Sequence, residues 1–245
     1  MPDVQQEVKF SSQRIKEENP GMWQDFYGSE LRPFGKVSIY KNDFTDWVAD
    51  SWTITEVQGA GTTSQTLLDI RNGALRLTSG TNEDDGSNMQ LGGTGDSETV
   101  GESWAPAAGT NLWFETRIRS DDVTQHDIFV GLHVQDTTVI ASRGSGAIGF
   151  RTDDADALLD VETVASSTTS QETNVATLAD NTWIKLGFKV TGTEKIEFYV
   201  NDVLKSTLST NIPTELMKLT IAHLTGEANA AQLDVDYVVV CQDRG

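Results

Sequence analysis

A single cysteine, Cys241, is all the thiol chemistry this 245-residue chain possesses. No internal disulfide is available, so stability has to come from packing. Set in an apolar, β-branched run near the C-terminus, that thiol reads as a core group rather than a reactive one. Nothing approaches the ~20 apolar residues of a membrane span, and the opening MPDVQQEVKF lacks the apolar run of a secretory signal. The expectation is a protein without a signal peptide, made and kept in the cytoplasm. Basic residues are scarce: 18 Lys and Arg stand against 37 Asp and Glu, a net charge of −19. Such a body repels nucleic acid and anionic membrane, and neither is expected as a partner. Helical periodicity is nearly absent, and no repeat is visible that would indicate a solenoid or propeller.

What is present is alternation. In residues 181–208, Ile184, Leu186, Phe188 and Val190 fall on one side of an extended chain and Lys185 and Lys189 on the other. Thr191-Gly192-Thr193 breaks the run, after which Ile196, Phe198 and Val200 alternate with Glu197, Tyr199 and Asn201. Asn201-Asp202 reads as a two-residue turn, because both side chains tolerate positive φ, and a third strand follows to Leu208. Similar runs predict strands at 37–40, 52–57, 66–70, 74–78, 88–91, 112–119, 128–134, 147–151, 158–164, 216–224 and 233–241. Arg71-Asn72-Gly73 joins two of them through Asn-Gly, the strongest short hairpin signal. Gly131 marks a place where a neighbouring strand needs room. The polar stretches 92–109 and 166–180 are expected as loops at the ends of a sandwich. With 37% hydrophobic residues, one large all-β domain over 42–245 is affordable.

Residues 1–41 differ in kind. They hold six basic and six acidic residues, so the whole −19 belongs to the body. Large rings are scattered among polar residues, and Pro20, Gly21, Pro33 and Gly35 oppose a long helix. An extended arm is predicted, with Trp23, Phe26, Tyr27 and Phe34 as anchors that pack on the sandwich's own flank or dock on a partner.

Tyr40-Lys41-Asn42-Asp43-Phe44-Thr45-Asp46-Trp47, followed by GALRLTSG, LWFETRIR, DIFVGLHVQDTT, GAIGFRTDD, NTWIKLGFKV, KIEFYVNDV and LDVDYVVV, resembles the concanavalin A-like (laminin G-type) jelly rolls of tailed-bacteriophage virion proteins. The resemblance implies an antiparallel jelly-roll sandwich with a structural role on the virus particle, as a capsid decoration protein of cement or head-fibre type. Its implied partners are the major capsid protein, reached through the arm, and further copies of itself. A trimer is the first expectation. An alternative of another class is a lectin-like module that recognises a host glycan through its loops.

The same superfamily contains glucanases. Those that hydrolyse β-glucans set two Glu and an Asp at alternate positions of one strand, so that paired carboxylates flank the scissile bond. No Glu-x-Asp-x-Glu occurs here; Asp234 and Asp236 share a strand face, but Val238 follows. His126, His133 and His223 have no metal spacing and read as surface or satisfied sheet residues. No Gly-x-Ser-x-Gly elbow is present, and Gly92-Gly93-Thr94-Gly95 lacks the Lys of a phosphate loop. No catalytic residue is therefore assigned, and no hydrolysis is expected. No cofactor is expected either, although Glu83-Asp84-Asp85-Gly86 and Asp153-Asp154-Ala155-Asp156 gather oxygen ligands suited to Ca²⁺. Trp104 is the candidate platform for a glycan.

Overall fold

The computed structural model describes residues 37–57, 59, 62–92 and 104–244. The alternating runs become strands in chain order: β1 (Val37–Asn42), β2 (Trp52–Val57), β3 (Ser64–Leu67), β4 (Leu75–Thr78), β5 (Gly86–Leu91), β6 (Asn111–Ser120), β7 (His126–His133), β8 (Gly146–Thr152), β9 (Leu158–Ala165), β10 (Thr168–Thr177), β11 (Ile184–Thr191), β12 (Lys195–Val200), β13 (Val203–Leu208), β14 (Lys218–Thr225) and β15 (Gln232–Asp243). A single helical turn, α1 (Val139–Ser142), lies between β7 and β8. The strands form two antiparallel sheets. One runs β13-β12-β11-β6-β15-β4-β3, with β1 also on β15; the other runs β10-β9-β8-β7-β14-β5-β2.

Period-two patterning decides which side chains meet between the sheets. Phe188 is paired with Phe114 on one side and Phe198 on the other, so three rings line up across β6, β11 and β12. Phe188 stacks on Phe114 at 4.9 Å, and Phe198 meets Phe150 of the opposite sheet edge-on at 5.5 Å. Such offset and edge contacts add to plain area burial. The turn after β12 forms as its residues dictate, with Asn201 at φ 48° and Asp202 at 65°. At the β3–β4 hairpin Gly73 is obligatory. It sits at φ +75°, and a Cβ there would lie 2.4 Å from the Phe44 carbonyl oxygen. Gly131 answers the expectation of a close approach, since a Cβ on it would lie 2.2 Å from the Ile148 carbonyl oxygen.

Two expectations change. Residues 37–41, counted in the arm although 37–40 was also expected as a strand, belong to β1, which pairs along β15 from Val37↔Asp243 to Asn42↔Val238. The stretch 166–180, read as loop, contains the ten-residue β10. It is a sheet-edge strand mostly exposed, so no apolar alternation announces it. The seven-stranded sheet is buried on both faces at its centre, where every residue of β7, β8 and β14 is buried. The arm anchors Trp23, Phe26, Tyr27 and Phe34 lie outside the described residues.

Candidate functional site

Between the end of β1 and the start of β2 the chain makes the turn over residues 43–51. Asn42 starts the turn by accepting the Phe44 amide on Oδ1 at 2.8 Å, and Phe44, Trp47 and Trp52 then pack on one another at 6.1–6.5 Å. That aromatic knot fixes the 42–51 segment. Beside it opens a groove of about 350 Å³, lined by Tyr40, Asn42, Asp43, Asp46, Ser51 and Trp52 among others. The volume falls within the usual range for small-ligand sites. Tyr40 forms part of the wall, half-buried, and burial first and Asp46 next raise its hydroxyl pKa while Asn42 opposes them. Lys41 and Asp43 pair at 2.9 Å in solvent. The groove thus offers carboxylates, an amide and the edge of one tyrosine within one concavity.

Trp104 does not offer a platform. It is only 3% exposed, bridges Met217 and meets Tyr40 edge-on at 6.4 Å. Bulk and the neighbouring strand ladder draw it into the core, out of the polar stretch in which sequence placed it.

Asp234 and Asp236 are committed elsewhere. A bulge between Val235 and Tyr237 separates them in the ladder. Asp234, nearly buried, receives Arg76 at 2.7 and 2.9 Å and Arg119 at 2.8 Å, while Asp236 takes Arg117 at 2.9 Å. Arg117 and Arg119 also lie over Trp183 at 5.0 and 4.7 Å. The network is an ionic clasp across β4, β15 and β6. Asp234→Ala, which strips two guanidinium groups of their acceptor, is expected to lower stability by about 1–3 kcal/mol in urea unfolding. An unchanged midpoint would show that both arginines are satisfied by water.

The histidines are all buried. Ser120 Oγ accepts the Asp122 amide at 3.2 Å and lies 2.7 Å from His126 Nδ1, whose Nε2 lies 3.0 Å from His223 Nδ1. Desolvation lowers the proton affinity of both rings, to a pKa of about 3 for His126. They are 97 residues apart, and no sequence spacing could have paired them.

The acidic turns serve the backbone. Asp85, buried, accepts the amides of Gly59 and of Asn82, the latter at 3.0 Å, and Asp156 accepts that of Leu158 at 2.8 Å. Asp153 holds Arg151 at 2.6 Å. Among the described residues, no three His, Cys, Asp or Glu side chains come together to hold a metal ion. Sequence reading missed one carboxylate pair: Asp160 and Glu162 on β9, beside Arg151 and Arg143 on the outer face of the seven-stranded sheet. Glu162 is 2% exposed, and burial raises its pKa against the pull of Arg151 and Arg143. Alternation of Asp and Glu around Val161 is the signal the sequence carries for this pair.

No family model matches this chain, and no curated protein matches it. Solved structures do. A Bacillus licheniformis β-glucanase shares 13% identity, with a TM-score of 0.56 over 82% of this chain and 97% of that one. The chain has the concanavalin A-like jelly-roll fold. A prokaryotic β-1,3-1,4-glucanase (lichenase) derived from a mouse hindgut metagenome gives a TM-score of 0.57 at 11% identity, over 83% and 98% of the two chains. A protein of unknown function from Shewanella oneidensis MR-1 covers 99% of this chain and 96% of its own, with a TM-score of 0.59 at 11% identity. At such identities the likeness is one of fold. It nevertheless corrects the expectation that no hydrolysis occurs: this architecture carries β-glucanases, so a missing Glu-x-Asp-x-Glu does not remove catalysis from the range open to the fold. Nothing in these names points to a virus particle.

Proposed function

We propose that the sandwich binds a neutral polysaccharide, of β-glucan type, in the groove beside the segment that joins β1 to β2. The observation that carries this reading is the convergence of Asp43, Asp46 and Asn42 with the half-buried ring of Tyr40 in one open, ligand-sized concavity, whose wall the buried Trp52 backs. Carboxylates accept hydrogen bonds from sugar hydroxyls, a side-chain amide both donates and accepts them, and the exposed edge of Tyr40 can pack against the apolar face of a pyranose. The β-glucanases that share the fold act on ligands of this class. Charge supports it too, since an uncharged glucan meets no repulsion from a body of −19.

The test is affinity electrophoresis in barley β-1,3-1,4-glucan and in laminarin. The protein is expected to be retarded, and Asp43→Asn with Asp46→Asn to lose at least about ten-fold in affinity at unchanged stability, as loss of charged hydrogen-bond partners does. Free migration in both glucans would sink the proposal. A second reading, decoration of a capsid with the acidic sandwich outward and the arm on a major capsid protein, is supported by the neutral charge of residues 1–41 against the acidic body. Co-sedimentation with capsid shells separates the two readings.

A further inference from the structure

The outer face of the seven-stranded sheet is built like a ligand site and is occupied by the chain itself. Between β7 and β8, residues 134–145 cross this face instead of turning back tightly. Sheet side chains hold the crossing segment mainly by its backbone. Gln90 donates to the Val134 carbonyl at 3.0 Å and accepts the Asp136 amide at 2.9 Å, and Asn88 donates to the Thr137 carbonyl at 2.8 Å. Lys218 reaches the side chain of Gln135 at 2.7 Å. In the middle, Val139 and Ile140 sit on Phe129, Ala147, Val164 and Ala222.

This arrangement places two side-chain amides, an ammonium and an aromatic ring on one face, all directed at a segment that supplies carbonyl and amide groups. Buried polar groups in native proteins find partners almost without exception. Here three do not. Asn88 Oδ1, Arg151 Nη1 and His133 Nε2 lie on the same face, on residues 2%, 8% and 0% exposed, and none has a hydrogen-bond partner. The first is an acceptor, the second a donor, and the imidazole nitrogen is one or the other according to its tautomer. A hydroxyl group can satisfy both kinds, whereas the segment above satisfies neither.

We propose that residues 134–145 are a strap that occupies, in place of a ligand, a second saccharide-binding face on the outer side of the seven-stranded sheet. The face is open to a hydroxyl-rich ligand only when the strap lifts. Asn88, Gln90 and Arg151 are its binding residues, Phe129 is its aromatic floor, and Val139 with Ile140 is the plug. The ligand class rests on the polysaccharide reading above; the strap's grip on the sheet does not.

The experiment uses the full chain with Val139→Ser and Ile140→Ser together, and separately with Asp136→Ala. Asp136 is partly exposed and holds Thr138 and Ser142 inside the strap, so its loss loosens the strap without touching the core. Hydrogen exchange reports the strap and titration with soluble barley β-glucan reports the face. Either loosened protein is expected to exchange faster across 134–145 and to bind the glucan at least ten-fold more tightly. That gain should persist with Asp43→Asn and Asp46→Asn in the groove and vanish with Asn88→Ala. A folded, loosened strap with no gain in glucan binding overturns the proposal, as does a gain indifferent to Asn88. Groove binding is read separately in the unaltered chain, so failure of one site leaves the other distinguishable.

Discussion

Phe188→Ala is expected to cost the sandwich about 3–5 kcal/mol, the range for deleting a large ring from a close-packed core. The ring is wholly buried and central, stacked on Phe114 at 4.9 Å and packed on Phe198 at 5.8 Å. Neither neighbour can move into the vacated space without breaking its own strand ladder, because β6 and β12 flank β11 in fixed register. The cavity therefore persists, adding its own term to the lost transfer energy. Urea unfolding followed by circular dichroism measures the loss. Lys205→Ala, on an exposed position of β13, should stay within about 0.5 kcal/mol and serves as the control. A Phe188 variant as stable as the parent would mean that the core tolerates the gap by collapse.

Acid should weaken the fold steeply through the buried histidine pair. His126 falls from a usual value of 6.5 to about 3 on burial, and His223 is lowered as well by desolvation and by His126. For a base whose folded pKa is depressed, the unfolded chain binds the proton first, so stability is lost as pH falls from about 6.5 toward 3. At about 1.4 kcal/mol per unit, His126 alone accounts for a loss on the order of 4 kcal/mol across that window. Asp127, whose pKa burial pushes up to about 6, and Glu162 act with the opposite sign, gaining stability as they take up protons in the fold. Asp127→Asn should consequently steepen the acid limb, and replacing both histidines with asparagine should flatten it. Urea midpoints measured from pH 7 to pH 4 check both. A flat profile in Asp127→Asn would show that the pair is not held neutral.

Strands whose one face is buried were legible because alternation records burial directly. Residues 184–208 fold as their pattern dictates, down to the positive φ of Asn201 and Asp202. Patterning fails where burial is absent or two-sided. The mostly exposed β10 carries no alternation, and the outer face of β7 and β14 is covered by a segment that no local rule could place there. Trp104 shows a related limit, since a ring amid polar residues has no local sign of whether the fold will bury it. The candidate groove was half visible: Tyr40, Asn42, Asp43 and Asp46 stand in the quoted run, but Ser51 and Trp52 join them only through the fold, as β1 pairs with β15 and β2 with β5. The carboxylates Asp160 and Glu162 were readable as an alternating pair, yet their arginine neighbours come from β8 and from the strap.

β15 is the shared seam of the eight-stranded sheet: β1 and β4 lie along one edge and β6 along the other. Ser38 and Gln242, partners in that seam, are about two hundred residues apart, so their pairing closes a loop nearly as long as the chain. During synthesis the meander β11–β13 can zip by itself, but β1, β4 and β6 have no common partner until residues 232–243 have left the ribosome. Until then the apolar faces of those strands wait uncovered in the nascent chain. Folding is committed late, and the interval before it is when nascent sandwiches are most exposed to pairing with one another instead of with their own last strand.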